Sequence, residues 1–121
     1  MPRTPKPRAW SPGALQGVLQ RDVVDMLVLT LLSRRAMYGH EIIQYLAALT
    51  DEVVVYDKLN TPLQRLKRQG FVTVTETPEK GMRARVYFEA TDLGRKHLQE
   101  MTEEYRAFVR AVNQVIDESE L

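Results

Sequence analysis

The chain has 121 residues, enough for one domain with a modest core, and its 44% hydrophobic and 27% charged residues are ordinary for a globular protein. It has no cysteine, which excludes disulfides, thiolate metal sites and a cysteine nucleophile. Its longest apolar run is too short to cross a bilayer, and its first residues lack the apolar segment of a signal peptide. We therefore expect a cytoplasmic protein without membrane contact.

The charge of the chain is concentrated in one region. The net charge is only +1, but residues 58–85 hold seven basic and two acidic side chains, a net +5, whereas residues 86–121 carry a net −4. Localised positive charge of this kind is typical of a nucleic-acid-binding surface. The alternative is a basic face that is merely solvated.

The first half of the chain predicts a tail and two helices. Residues 1–12 contain four prolines, so we expect a flexible basic tail ahead of a domain over residues 13–91. A helix over Val18–Ser33 is apolar around nearly its whole circumference, which predicts the central core helix. A polar turn over Ser33–Gly39 then leads to a second helix, from Tyr38 to about Thr50.

The second helix opens with His40-Glu41, which resembles the start of a zinc-protease signature. That signature needs a second histidine at position 44, where this chain has Gln44. The chain also lacks a glycine-rich phosphate loop and a nucleophile elbow, so we expect no metal, no cofactor and no enzymatic activity.

A third helix is predicted within residues 57–69, with Leu59, Leu63 and Leu66 as its buried stripe. Pro62 is tolerated only in a first turn. Either Asp57 caps the helix and Pro62 bends it, or the helix starts later with Asn60 or Thr61 as the cap, which we favour. Gly70 is expected to end the helix in a left-handed conformation.

Alternating apolar residues over 71–77 and 84–90 predict a β-hairpin with its tip at 78–81. Lys80 lies at the tip, and Arg83 and Arg85 lie on the return strand. A basic helix followed by a basic hairpin is the layout of a winged helix. We therefore predict an α+β, mostly α fold: a winged helix-turn-helix with a two-stranded wing.

The last predicted helix, about Asp92–Asp117, forms a C-terminal segment over residues 92–121. It carries an apolar seam at heptad spacing, which predicts a homodimer interface; packing against its own domain is the alternative. The seam consists of Leu98, Met101, Tyr105, Phe108, Val112 and Val115.

Four segments in order make the chain resemble the PadR family of bacterial transcriptional regulators. They are DMLVLTLLS (25–33), MYGHEII (37–43), DKLNTPLQRLKRQG (57–70) and RARVYFEATDLG (83–94). The single C-terminal helix is similar to that of the smaller subfamily. The third segment departs from the family pattern, because Asn60-Thr61 replaces a Tyr-Pro pair and Asp57 replaces a glycine.

The resemblance implies a homodimeric repressor that binds a palindromic operator in double-stranded DNA and responds to a small effector. Effectors of such regulators include phenolic acids and planar hydrophobic drugs, bound at or near the dimer interface. The serious alternative is a winged helix used for protein–protein contact without specific DNA binding. If the domain binds DNA, the residues expected to contact it are Lys58, Asn60, Thr61, Gln64, Arg65, Arg68, Lys80, Arg83 and Arg85.

Overall fold

The computed structural model describes residues 13–77 and 85–118. The elements are α1 (Ala14–Leu32), α2 (Gly39–Leu49), α3 (Asn60–Arg68), β1 (Val72–Thr77), β2 (Arg85–Ala90) and α4 (Asp92–Asp117). Three helices, a two-stranded hairpin and a long last helix confirm the predicted winged helix-turn-helix class. Within the described ranges no helix is long and apolar enough to cross a membrane.

The core surrounds the second half of α1. Val28, Leu29 and Leu32 are fully buried there, in contact with apolar residues of α2, α3 and the hairpin. The first half of α1 differs, since Leu15 and Leu19 are 71% and 52% exposed. The predicted helix over Val18–Ser33 thus begins four residues earlier than expected, and the prediction that it is buried all round is wrong at Val18 and Leu19, while its second half forms the core.

The sheet is a two-stranded antiparallel hairpin whose register runs from Val72 opposite Ala90 to Thr77 opposite Arg85. A third segment joins it at Met37, which is 4% exposed. The Met37 N–H donates to the Phe88 carbonyl (3.0 Å), and the Phe88 N–H donates to the Met37 carbonyl (2.8 Å). The predicted polar turn between α1 and α2 thus contains a buried, strand-like residue that ties the wing to the helices.

The start of α3 confirms the later of the two predicted starts. The helix begins at Asn60, so Pro62 lies in its first turn, where a missing N–H costs no helical hydrogen bond. The cap itself is Leu59, whose side chain makes no capping bond, so the prediction of Asn60 or Thr61 as cap is wrong. Leu59 occupies this position because its side chain is buried in the core.

The end of α3 confirms the left-handed glycine. Gly70 has φ 81° and donates to the Lys67 carbonyl (3.0 Å), while the Phe71 N–H donates to the Leu66 carbonyl (2.9 Å). These two bonds form a Schellman motif, which satisfies carbonyls at the helix end and turns the chain into β1.

The first turn of α4 is hydrogen-bonded to the chain at Gly70 and Phe71, between α3 and β1. The Thr91 hydroxyl accepts from the Gly94 N–H (3.0 Å) and donates to the Gly70 carbonyl (2.7 Å), and the Thr91 N–H donates to the Phe71 carbonyl (3.0 Å). A Cβ atom on Gly94 would lie 2.0 Å from that Phe71 oxygen. The close approach therefore requires glycine and fixes the direction in which α4 leaves the domain.

The predicted seam of α4 divides into two parts. Leu98 and Met101 are partly buried against the core of their own chain, as the own-domain alternative expected. Tyr105, Phe108 and the rest of the seam are solvent-exposed, with Phe108 71% exposed. The second half of α4 therefore presents an apolar face without cover from the described residues of its own domain.

Candidate nucleic-acid interface

The outer face of α3 is polar and basic. Leu59, Leu63 and Leu66 are buried at 2%, 1% and 0% exposure, which confirms the predicted stripe and turns the other side of the helix to solvent. The exposed side chains of this region, which we name the α3 face, are Lys58, Asn60, Thr61, Gln64, Lys67 and Arg68.

The α3 face is electrostatically positive. The helix contains no acidic residue, and its last turn carries Arg65, Lys67 and Arg68, which also interact favourably with the negative end of the helix dipole. The Gln64 amide presents a donor and an acceptor side by side, and the Arg68 guanidinium presents paired N–H donors; both kinds of group read base edges. Lysine and hydroxyl groups at the helix start suit phosphate oxygens.

Arg65 does not belong to the freely exposed surface where the sequence placed it. Its Nη2 donates to Oδ1 of Asp25 on α1 at 2.5 Å, and its side chain is 38% exposed. About 100° per residue puts Arg65 at the flank of the helix, from which a long side chain reaches back to α1. Asp25 lies 40 positions earlier in the chain, so no local pattern signals this pair.

Arg85 connects the base of the wing to the start of α2. Its guanidinium carbon lies 4.5 Å from the ring centroid of Tyr38, which packs edge-on against Tyr87 with centroids 5.6 Å apart. Cation–π contact of this kind orients the arginine at a partly exposed site. Tyr38 is thus a supporting residue that the sequence analysis did not identify; its position at the N-cap of α2 was the available signal.

A cavity of about 520 Å³ lies where the starts of α2 and α3 meet β2. It brings Asn60, Gln64 and Arg85 together around one concave surface, with exposed His40 beside them. The structure therefore gathers part of the predicted contact set from three elements into a single site. Lys80 and Arg83 lie outside the described residues, as do the hairpin tip and the tail over residues 1–12.

A metal centre finds no support in the described ranges, where no group of three or more histidine, aspartate or glutamate side chains is placed to hold an ion.

A winged helix with a polar, basic third helix defines the class of winged-helix regulators. Residues 28–100, more than half of the chain, match the Transcriptional regulator PadR-like family, and the chain belongs to this family. Membership confirms the prediction of a transcriptional regulator and not an enzyme.

Solved structures show the same fold. A transcriptional regulator from Clostridium thermocellum, Cth-833, is 27% identical with a TM-score of 0.74, over 80% of this chain and 93% of that one. A PadR family regulator from Eggerthella lenta is 24% identical, with a TM-score of 0.72 over 87% and 88%. Bacillus subtilis PadR in complex with operator DNA is 21% identical, with a TM-score of 0.61 over 66% and 46%. The chain matches no curated protein.

Proposed function

We propose that this PadR-like regulator is a homodimer that binds a palindromic operator in double-stranded DNA, acts as a repressor and responds to a small hydrophobic or aromatic effector. The observation that carries the proposal is the α3 face, which is exposed, basic and adjacent to the base of the wing. A neighbour of the same fold, Bacillus subtilis PadR, is described in complex with operator DNA, which supports DNA as the ligand.

In the proposed complex, α3 enters the major groove. Gln64 and Arg68 contact base edges, while Lys58, Asn60 and Thr61 hold phosphates at the helix start. Arg85, together with Lys80 and Arg83 of the wing, contacts the flanking backbone. Arg65 is left to hold α3 on α1 through Asp25.

The homodimer is supported by the exposed apolar surface of α4 and α1. The 26 residues of α4 extend for about 39 Å, and Phe108 and Val115 on its second half are 71% and 74% exposed. Beside them, Leu15 and Leu19 of α1 are also exposed, and the two helices border a groove of about 720 Å³. Contiguous apolar surface of this kind marks an interface. A second copy supplies a matching seam, and its half-site would lie about one turn of DNA away, roughly 34 Å.

A site for the effector is supported by a second cavity between α1 and α4, of about 680 Å³. Its apolar lining includes Met26, Met101 and Phe108, which suits a planar hydrophobic molecule. Asp22 and Glu104 also line it, and their carboxylates favour a cationic ligand over an anionic one.

Fluorescence anisotropy tests the proposal, with duplexes from the chain's own upstream region and a scrambled control, each titrated across salt concentrations. We expect tighter binding to the upstream duplex and an affinity that falls steeply with salt, since phosphate neutralisation releases counterions. Equal, weak binding to both duplexes would remove sequence specificity from the proposal. Absence of binding even at low salt would favour the protein-interaction alternative.

A further inference from the structure

The connection between α2 and α3 is held by side chains of α1. We name residues 53–56 the strap. The Gln20 amide bonds both backbone groups of Val55: Nε2 donates to the carbonyl (3.0 Å), and the Val55 N–H donates to Oε1 (3.0 Å). The Tyr56 hydroxyl donates to the main-chain carbonyl of Gln20 at 2.5 Å, and Gln16 Nε2 donates to the main-chain carbonyl of Val53 at 2.6 Å. The strap therefore follows α1 closely, although it belongs to no helix or sheet.

One end of the strap lies in the apolar groove. Val53 and Val54 line the 720 Å³ groove together with Tyr105 and Phe108, and Gln20 lines it as well. Val53 is 53% exposed, so its side chain is available to whatever fills the groove. A partner helix seated there would contact the strap directly.

The other end of the strap leads into α3. Tyr56 packs against the core, and Leu59, which is 2% exposed, caps α3 three positions later. Before the strap, Asp51 and Glu52 both have positive φ, 50° and 64°, a conformation that costs free energy in residues with a Cβ. This turn is held by the end of α2, since the Glu52 N–H donates to the Ala47 carbonyl (2.8 Å) and the Val54 N–H donates to the Thr50 hydroxyl (3.0 Å). The bonds from Gln16 and Gln20 then hold the strap itself on α1.

We propose that Gln20 is a positioning residue that couples occupation of the groove by α4 of a second copy to the placement of the start of α3. The inference rests on the proposed homodimer. Contact of the partner with Val53 and Val54 stabilises the strap against α1. Because Gln20 binds Val55, the residues that follow, Tyr56 and Leu59, are then held in a fixed position as well. Dimer assembly and the presentation of Asn60 and Gln64 are then linked without any change in the core.

Amide hydrogen exchange, measured in three backgrounds with and without one interface substitution, tests the coupling. Gln20→Leu removes both bonds to Val55, and Gln99→Leu, on an exposed position of α4, is the matched control. Each is made with and without Phe108→Glu, which places a charge on the exposed seam. Sedimentation gives the dimer state, and exchange is followed at residues 53–64, with amides of Val28–Leu32 reporting on global stability. Gln16→Leu, which removes only the bond to Val53, repeats the cycle if Gln20→Leu does not fold.

We expect Phe108→Glu to dissociate the dimer and to speed exchange at residues 53–64 on the order of ten-fold in the wild-type and Gln99→Leu backgrounds. In the Gln20→Leu background exchange is already fast, and Phe108→Glu adds little. The amides of Val28–Leu32 are expected to stay protected from exchange in all variants. This result would distinguish a positioning role of Gln20 from a general loss of stability.

Three results would overturn the inference. Dissociation without faster exchange at residues 53–64 removes the coupling and leaves the homodimer intact. If the increase in exchange rate in the double variant equals the product of the increases in Gln20→Leu and Phe108→Glu, Gln20 and the seam act independently. An unchanged mass for Phe108→Glu overturns both the interface and the coupling.

Failure of the wild type to bind either duplex, with the exchange pattern as expected, refutes the DNA-binding function while the coupling stands.

Discussion

The guanidinium of Arg65 on α3 is paired with the carboxylate of Asp25 on α1, Nη2 to Oδ1, at 2.5 Å. The two side chains are 38% and 26% exposed, so the pair is neither fully solvated nor fully buried. It joins the helix with the basic outer face to the helix that forms the core and borders the apolar groove. The pair and the Gln20 bonds are thus two separate attachments of the α3 region to α1.

Breaking the pair is expected to lower stability modestly. Arg65→Ala and Asp25→Ala should each reduce the free energy of unfolding by about 1 kcal/mol, the upper range for partly exposed pairs. Because each variant removes the same interaction, the double variant should be little less stable than either single one. Urea denaturation of all four proteins measures this. If the loss of stability in the double variant equals the sum of the two single losses, the interaction between Arg65 and Asp25 contributes nothing to stability.

Gly94→Ala is expected to be severely destabilising. The added Cβ would lie 2.0 Å from the Phe71 carbonyl oxygen, a backbone atom that cannot move away without displacing the corner after α3. We expect a loss of at least about 2–3 kcal/mol in denaturation experiments. Gly17→Ala is the control, because no atom lies within 4 Å of its added Cβ on α1. That variant should gain roughly 0.5–1 kcal/mol from helix propensity. Similar effects of both would contradict the packing at Gly94.

Arg68→Ala is expected to change which DNA sequence is preferred. Loss of one arginine contact to a base edge should cost about 1–3 kcal/mol of binding to the upstream duplex and less to the scrambled one. Arg110→Ala removes the same charge from an exposed position on α4 and should leave the preference unaltered. Equal losses on both duplexes would place Arg68 on phosphate.

Lys58→Ala is expected to weaken binding to all sequences alike. Removal of one phosphate contact should reduce the slope of log affinity against log salt concentration by about one unit. Lys96→Ala, which removes the same charge from an exposed position on α4, should not change the slope. Anisotropy titrations at several salt concentrations give both slopes, and an unchanged slope for Lys58→Ala would remove it from the interface.

Tyr56 is expected to contribute to the alkaline sensitivity of the fold. Burial raises the pKa of Tyr56 above its ordinary value of 10.0 in the folded protein. The unfolded chain therefore releases this proton first, and the free energy of unfolding falls as the pH rises above about 10. Tyr56→Phe should be less stable at neutral pH, since it loses the bond to Gln20, but should lose less stability between pH 9 and 11. Equal loss of stability over this pH range in Tyr56→Phe and the wild type would contradict the role of burial.

Local patterns were sufficient for much of the architecture. The spacing of Leu59, Leu63 and Leu66 correctly predicted the buried stripe of α3, and Gly70 its left-handed end. The bounds of α4 were also correct, because a capping threonine and a long apolar repeat are signals within one segment. For the candidate site, helical periodicity correctly predicted that Gln64 and Arg68 are exposed.

The elements, their order and their apolar faces could be derived from the sequence, since they depend on residues within one or two turns of each other. The use of side chains that lie far apart in the chain became visible in the folded protein: Arg65 is bound by Asp25, the strap is held by Gln20, and Arg85 stacks on Tyr38. The tertiary structure also decided that Leu98 and Met101 pack on their own core while Phe108 stays exposed, because a heptad repeat specifies an apolar seam and not the surface that covers it.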